Sequence, residues 1–182
     1  YMDEPTAKIY PCIENDEKVT NANSNKKQMN ASAKFDHSKV FIVHGRDKSE
    51  ETVARFIEQL ELKVIILHEQ ASGSKAIIEK IEANTDVGFA IVLYTPCDEG
   101  NLVGETPKAR ARQNVIFEHG YLIGKLGRDK VCALVKGDIE KPNDISGVLY
   151  IPFDEHGAWK MRLVQELCAA DYKIDANKVF ER

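Results

Sequence analysis

Residues 87–94, V-G-F-A-I-V-L-Y, form the longest apolar run of the chain. An apolar run of this length is typical of a strand that is buried on both faces of a parallel sheet. We therefore predict that this segment is the central strand of such a sheet.

On both sides of this run, short apolar segments alternate with segments of helical periodicity. We expect strands at residues 39–43, 63–67, 87–94, 130–135 and 148–151. We expect helices near residues 47–60, 77–81, 106–126 and 158–170. Strands that alternate with helices imply right-handed crossovers and a parallel sheet that is covered on both faces. The sequence therefore predicts an α/β fold with a flavodoxin-like five-stranded parallel sheet, order 2-1-3-4-5.

Two local motifs predict where helices begin. Asp47 and Glu50 fit a capping box, in which the two side chains satisfy free backbone N–H groups at the helix start. Thr106 followed by Pro107 fits a second helix start, with threonine as the cap and proline in the first turn. We therefore expect the first helix from Asp47 and the third from Thr106.

The N-terminal part of the chain differs in composition from the rest. Residues 14–30 contain five asparagines and few large apolar residues, so little burial could offset the entropy of ordering them. We predict a linker or the tail of an upstream region at residues 1–37, one folded domain at 38–174 and a C-terminal tail at 175–182. Because the first residue is Tyr1 rather than Met, we expect the chain to be a fragment of a longer protein.

Composition excludes several classes of function. The 25 basic and 29 acidic side chains give a net charge of −4, which argues against non-specific binding of nucleic acid. No apolar run approaches the roughly 20 residues of a membrane helix, and the N-terminus lacks a signal-peptide pattern. Four cysteines and five histidines are scattered without metal-ligand spacing. We expect no metal site, no membrane contact and a reducing, cytoplasmic location.

In sheets of this type, ligands bind beyond the carboxyl ends of the strands. His44, Gly45 and Arg46 leave the first strand at that edge. Gly45 would let the backbone approach a ligand closely, and Arg46 could bind a phosphate with two hydrogen bonds. A tight turn with an exposed arginine explains the same residues equally well.

A second loop at this edge contains the sequence S-G-S-K at residues 72–75. It lacks the first glycine of a phosphate-binding P-loop and reverses the order of its last two residues, which argues against a nucleoside triphosphatase. Ser72 therefore belongs either to a flexible lid over the ligand or to a simple helix cap.

The third predicted helix carries the most informative polar residue, Glu118. At about 100° per residue, Glu118 lies beside the apolar stripe, with Asn114 one turn before it and Tyr121 just after it. A carboxylate at the border of an apolar face is partly withdrawn from water, which is costly. The spacing leaves two interpretations open: a catalytic carboxylate, or a surface carboxylate paired with Arg112 or Lys125.

Taken together, five segments resemble TIR (Toll/interleukin-1 receptor) domains, specifically the bacterial group described as predicted nucleotide-binding proteins. The segments are V-F-I-V-H-G-R-D (40–47), I-I-L-H-E-Q (65–70), D-V-G-F-A-I-V-L (86–93), R-A-R-Q-N-V-I-F-E-H-G-Y (110–121) and P-N-D-I-S-G-V (142–148). They follow one another in the family's order, and the resemblance covers residues 39–174.

The resemblance implies an NAD⁺ glycohydrolase that releases nicotinamide and either ADP-ribose or cyclic ADP-ribose, with NAD⁺ as substrate and no further cofactor. Glu118 matches the family's catalytic glutamate. The expected substrate-binding residues are His44, Gly45, Arg46, Ser72, Asn114, Tyr121 and Asp144. Many TIR enzymes have tryptophan at the position of Asn114, so aromatic stacking from that position is absent here. The resemblance also implies self-association and control by an upstream sensor in anti-phage defence.

Two other functions remain open at this point. Nucleoside deoxyribosyltransferases use a similar sheet and also place a glutamate at the sugar, and many TIR domains are non-catalytic modules that only self-associate. A phospho-acceptor receiver domain shares the topology, but the central strand here ends in Leu93, Tyr94 and Thr95 without an acceptor aspartate.

Overall fold

The computed structural model describes residues 35–66, 77–83, 86–142 and 147–180, within the compact unit Ala33–Arg182. Its strands are β1 (Asp36–Val43), β2 (Lys63–Ile66), β3 (Val87–Tyr94), β4 (Asp98–Gly100), β5 (Lys108–Arg110), β6 (Val131–Val135) and β7 (Leu149–Pro152). Its helices are α1 (Ser49–Gln59), α2 (Ile77–Glu82), α3 (Gln113–Leu126) and α4 (Ala158–Ala169), with 3₁₀ turns at Arg128–Lys130 and Ala176–Phe180.

Five of these strands form one parallel sheet in the order β2-β1-β3-β6-β7. This order is the predicted 2-1-3-4-5 once the short strands β4 and β5, which pair with each other, are left out. All eight residues of β3 are buried. The predicted fold class and the predicted central strand are therefore confirmed.

Two apolar layers cover the sheet. Successive residues of a strand point to opposite faces, so Ile91 packs toward α1 and α4 while Val92 packs toward α3. In the first layer, Phe56 of α1 contacts Trp159 of α4 edge-on, with ring centroids 5.1 Å apart. In the second layer, Val115 of α3 packs against the sheet. Each helix is thus held to the sheet by one apolar face.

The predicted helix start at Thr106 is wrong. The chain forms an antiparallel hairpin there, in which β4 pairs with β5, and α3 begins only at Gln113. The hairpin is extended by the segment after β6, where the backbone N–H of Glu140 donates to the carbonyl of Ala109 at 2.8 Å. Because this pairing joins segments distant in sequence, it outweighs the local helix signal of the Thr-Pro pair.

The predicted capping box of α1 is only half formed. The Asp47 carboxylate accepts a hydrogen bond from the backbone N–H of Ser49 at 3.3 Å. Lys48, in a left-handed conformation with φ of 62°, precedes the helix. Glu50 pairs with His44 rather than with the backbone. The helix start is therefore fastened to the end of β1.

The limits of the domain differ slightly from the predicted ones. Strand β1 begins at Asp36, three residues before the predicted strand. At the other end, Lys178 Nζ lies 2.5 Å from Glu61 Oε1, and Val179 packs against the first apolar layer. Residues predicted as a C-terminal tail thus contact the folded domain. No helix within the described ranges is long and apolar enough to cross a membrane.

We predict that Ile91→Ala lowers the free energy of unfolding by about 2–5 kcal/mol, because it leaves a cavity beneath the central strand. Met161→Ala on the exposed face of α4 is the matched control and should change stability far less. Urea denaturation of both variants measures the difference. Equal effects would contradict the assignment of β3 as the centre of the core.

Candidate active site

The chain leaves β1 through His44, Gly45 and Arg46, which the sequence assigned to the substrate. His44 Nδ1 lies 3.3 Å from Glu50 Oε2 at the start of α1, and both side chains are only 11% exposed. Arg46 is exposed, and its backbone N–H donates to Cys97 Sγ at 3.2 Å. The imidazole of His44 thus lies beside the Glu50 carboxylate of α1, while Arg46 is exposed.

Gly45 packs directly on the segment that follows β3. A Cβ atom at this position would lie 2.5 Å from Cys97 Sγ and 3.1 Å from Thr95 Oγ1. The two partners are themselves 3.0 Å apart. The contact between the exits of β1 and β3 therefore requires glycine at position 45. Close approach of a ligand to Gly45 stays a prediction.

Lys136, which the sequence analysis missed, joins three strand exits at this edge. Its backbone N–H donates to the carbonyl of Tyr94 at 2.8 Å, and its Nζ donates to Asp47 Oδ2 at 2.9 Å and to Ser49 Oγ at 3.2 Å. Burial alone would raise the pKa of Asp47, but hydrogen bonds from Ser49 and Lys136 outweigh burial and hold the pKa below its usual range. The ends of β1, β3 and β6 are distant in the sequence and adjacent in the fold, so the sequence alone does not predict these contacts of Lys136.

Glu118 lies on the side of α3 that faces the sheet. The buried residues of this helix are Val115, Glu118, His119, Leu122 and Leu126. Glu118 is 7% exposed, so it is buried rather than at the surface, and its pairing with Arg112 or Lys125 stays a prediction. A carboxylate in such a place must be compensated by neighbours or change its protonation, which is the environment in which catalytic carboxylates are found.

The residue after Glu118 anchors α3 to the central strand. His119 is completely buried, and its Nδ1 lies 2.8 Å from the hydroxyl oxygen of Tyr94, the last residue of β3. Tyr94 also contacts Tyr150 of β7 edge-on, with ring centroids 5.7 Å apart. Burial lowers the pKa of His119 to about 4, so its imidazole is neutral at pH 7. In the sequence, His119 lies four residues after Val115 and three before Leu122, a spacing that indicates a position on the buried face of the helix.

Asn114, Glu118 and Tyr121 share one flank of α3, since their spacing is i, i+4 and i+7. The Tyr121 hydroxyl donates to Glu82 Oε1 of α2 at 3.0 Å, which shows that this flank faces α2. At 1.5 Å per residue, Glu118 lies about 6 Å from Asn114 along the helix axis, and Tyr121 lies about 10 Å from Asn114. Tyr121 thus contributes to helix packing, and a contact between Tyr121 and substrate stays a prediction.

Two predicted substrate-binding residues, Ser72 and Asp144, lie outside the described residues. Within the described part of the chain, no three His, Cys, Asp or Glu side chains converge as metal ligands would. The structure thus brings together the exits of β1, β3 and β6, and it places Asn114 and Glu118 on the helix that begins at the same edge.

The sequence profile of the TIR domain of CAP12/Pycsar effector proteins matches residues 39–155, which is more than half of the chain. The chain belongs to this TIR-domain family. The matched residues include β1, β3, α3 and the buried Glu118 described above. The predicted resemblance to bacterial TIR domains is therefore confirmed.

Curated relatives agree with this assignment. The uncharacterized protein YuaY of Escherichia coli K12 is 54% identical over 143 residues, which are 77% of this chain and 48% of the relative. Protein tirC of Dictyostelium discoideum is 33% identical over 130 residues, 64% of this chain and 65% of the relative. The Pycsar effector protein PaPycTIR of Pseudomonas aeruginosa is 36% identical over 84 residues, 44% of this chain and 27% of the relative. This TIR domain thus spans less than two thirds of each of these proteins.

We predict that the stability of this TIR domain falls in acid because of His119. The unfolded chain titrates His119 near pKa 6.5 and the folded chain near 4. Between these values the unfolded state binds more protons, so stability is complete above pH 6.5 and declines as the pH falls toward 4. The His119 contribution to this loss should reach about 2.5 kcal/mol at about pH 4.5.

Urea denaturation at neutral and acidic pH tests this prediction. His119→Gln should be less stable at neutral pH but should lose less stability in acid than the unmodified chain. His156→Gln, which changes an exposed histidine, should keep the full acid sensitivity. An equal pH dependence in His119→Gln and the unmodified chain would contradict the neutral, buried imidazole.

Two glycine substitutions should change stability in opposite directions. Gly45→Ala should destabilise the domain by about 1–3 kcal/mol because its methyl group collides with Cys97. Adding Cys97→Ala removes the colliding sulfur and should recover part of the loss. Gly124→Ala in α3 meets nothing within 4 Å and should stabilise the helix by about 0.5–1 kcal/mol. Thermal unfolding measures all three, and a neutral Gly45→Ala would refute the tight contact between the strand exits.

Proposed function

We propose that this TIR domain is an NAD⁺ glycohydrolase in which Glu118 is the catalytic carboxylate. The observation that supports it most is the burial of Glu118 on α3, the helix that starts at the carboxyl edge of the parallel sheet. Ligands bind at that edge in folds of this kind. Membership of the TIR family of CAP12/Pycsar effectors supports the same reaction class by analogy.

The chemistry requires one carboxylate and no acid on the leaving group. When the bond between nicotinamide and ribose breaks, the positively charged nicotinamide departs as a neutral molecule, and positive charge develops on the ribose. A carboxylate withdrawn from water stabilises this oxocarbenium-like charge strongly, either directly or through the ribose hydroxyls. Water then adds to the ribose to give ADP-ribose, or the adenine closes the ring to give cyclic ADP-ribose.

Substrate recognition is proposed to come from residues at the same edge. The exposed guanidinium of Arg46 suits a diphosphate, because arginine can donate two parallel hydrogen bonds to phosphate oxygens. His44 lies beside Glu50, and Gly45 packs against Cys97 in the same loop. Asn114 lies one turn before Glu118 and offers an amide rather than an aromatic ring. Ser72, Tyr121 and Asp144 complete the proposed set.

The biological setting is part of the proposal. The name of PaPycTIR describes that relative as a Pycsar effector. By analogy, we propose that this domain acts as an effector in bacterial defence, in the cytoplasm, and is activated by an upstream sensor through self-assembly. We propose that the loop at residues 68–74, which lies outside the described residues, contacts a second copy in this assembly.

We predict that Glu118→Gln reduces NAD⁺ cleavage by about 10²–10³-fold or more, because it keeps the size of the side chain and removes the charge that stabilises the ribose. Glu58→Gln, on the exposed face of α1, is the matched control and should leave the rate unchanged. Nicotinamide release is measured at high protein concentration, and thermal unfolding verifies that both variants fold. An unchanged rate in Glu118→Gln would eliminate Glu118 as the catalytic residue.

The same assay separates the alternative functions. A deoxyribosyltransferase would release free base from deoxynucleosides and leave NAD⁺ intact. A non-catalytic module would assemble without releasing nicotinamide at any concentration. Either result would overturn the proposed NAD⁺ glycohydrolase.

A further inference from the structure

A projecting apolar loop lies between β4 and β5. We call residues 101–107 the tip. Leu102 is 71% exposed and Val103 is fully exposed. The Asn101 side-chain amide donates to the carbonyls of Leu102 at 2.9 Å and Glu105 at 2.6 Å, which holds the loop in shape. Two neighbouring aliphatic side chains are thus presented to solvent on a preorganised loop, an arrangement typical of contact sites.

A cavity of about 410 Å³ lies where the hairpin meets α3. We call it the socket. Its lining includes the apolar residues Ile116, Phe117 and Pro142 and the charged residues Arg110, Glu140 and Lys141. Phe117 is 53% exposed although it lies in a helix that packs on the sheet. The socket is on the flank of α3 opposite Glu118, because Ile116 and Phe117 project about 160° and 100° away from it.

The tip does not fill the socket of the same chain in this structure, because Leu102 and Val103 are exposed. Strand β5 (Lys108–Arg110) runs from the tip back to the socket, and three extended residues separate the two by about 10 Å. Tip and socket are therefore two separate surfaces of one chain. Since both are built into one chain, a second copy supplies the matching surface for each.

Charge favours the same pairing. Glu105 lies in the tip, and the socket lining carries two basic side chains, Arg110 and Lys141, against one acidic side chain, Glu140. Neither Glu105 nor Lys141 forms an ion pair within the residues that the structure describes. Lys141 Nζ lies 5.8 Å from the centroid of the Tyr150 ring. Opposite charges beside complementary apolar surfaces set the register of a contact and exclude wrong partners.

We propose that the tip of one copy inserts into the socket of the next, with Leu102 and Val103 against Ile116 and Phe117 and with Glu105 facing Lys141. This contact deepens the self-assembly that forms part of the proposed function. Each copy uses two different surfaces, so the contact is head-to-tail and extends into a chain of copies unless the rotation closes a ring. Two aliphatic side chains and one ion pair are too few for a permanent dimer, so the chain forms only at high local concentration. This contact does not involve the flank of α3 that carries Glu118.

Sedimentation velocity of the full chain over a wide concentration range tests this contact. The unmodified chain should form species larger than a dimer as its concentration rises. Leu102→Ser combined with Val103→Ser, and separately Phe117→Ser, should raise the concentration needed for assembly by about tenfold or more. Phe180→Ser removes an equally exposed apolar residue outside both surfaces and is the matched control. Assembly of the tip and socket variants at the same concentration as the unmodified chain would overturn the proposal.

Mixing and charge reversal make the test specific. The tip variant keeps a socket and the Phe117→Ser variant keeps a tip, so their mixture should form a heterodimer that cannot extend. Glu105→Lys and Lys141→Glu should each weaken assembly, and the double variant should recover it; both are surface changes that leave the core intact. No heterodimer, or no recovery, would refute a contact between two copies and indicate another occupant of the socket. Glu118→Gln should assemble normally. The assembly test can therefore succeed or fail independently of the proposed enzymatic function.

Discussion

The arrangement of the site depends on one polar contact inside an apolar layer, the hydrogen bond between His119 of α3 and Tyr94 of β3. Because His119 is neutral and completely buried, it fixes the rotation and height of the helix without placing a second charge beside Glu118. An apolar residue at this position would pack α3 against the sheet but would fix its register less strictly. The buried carboxylate of the preceding residue is therefore presented at a defined place next to the central strand.

The sequence predicted the features that depend on neighbouring residues. The apolar run of β3 and the alternation of strands and helices were sufficient for the sheet and its order, and helical periodicity placed Glu118 at the edge of a buried stripe. Contacts between distant residues could not be predicted. The hairpin at residues 98–110 depends on pairing with Glu140, and Lys136 reaches Asp47 across 89 positions of the sequence. The Glu50 side chain does not cap α1 but lies beside His44. This contact forms only when the end of β1 folds next to the start of α1.

The two flanks of α3 carry different chemistry. On one flank lie Asn114 and Glu118, on the side where Tyr121 contacts α2, and on the other lie Ile116 and Phe117, beside the hairpin. A contact on the second flank therefore bears on the same helix that holds the carboxylate. In this account, assembly and catalysis share one rigid element without competing for the same surface.

The most direct test of the central claim is a crystal structure of the Glu118→Gln variant with NAD⁺ bound. The account predicts that the side-chain amide of residue 118 lies within hydrogen-bond distance, roughly 2.6–3.2 Å, of the ribose that carries nicotinamide. Nicotinamide ribose bound away from α3, with the residue 118 side chain still enclosed against the sheet, would contradict it.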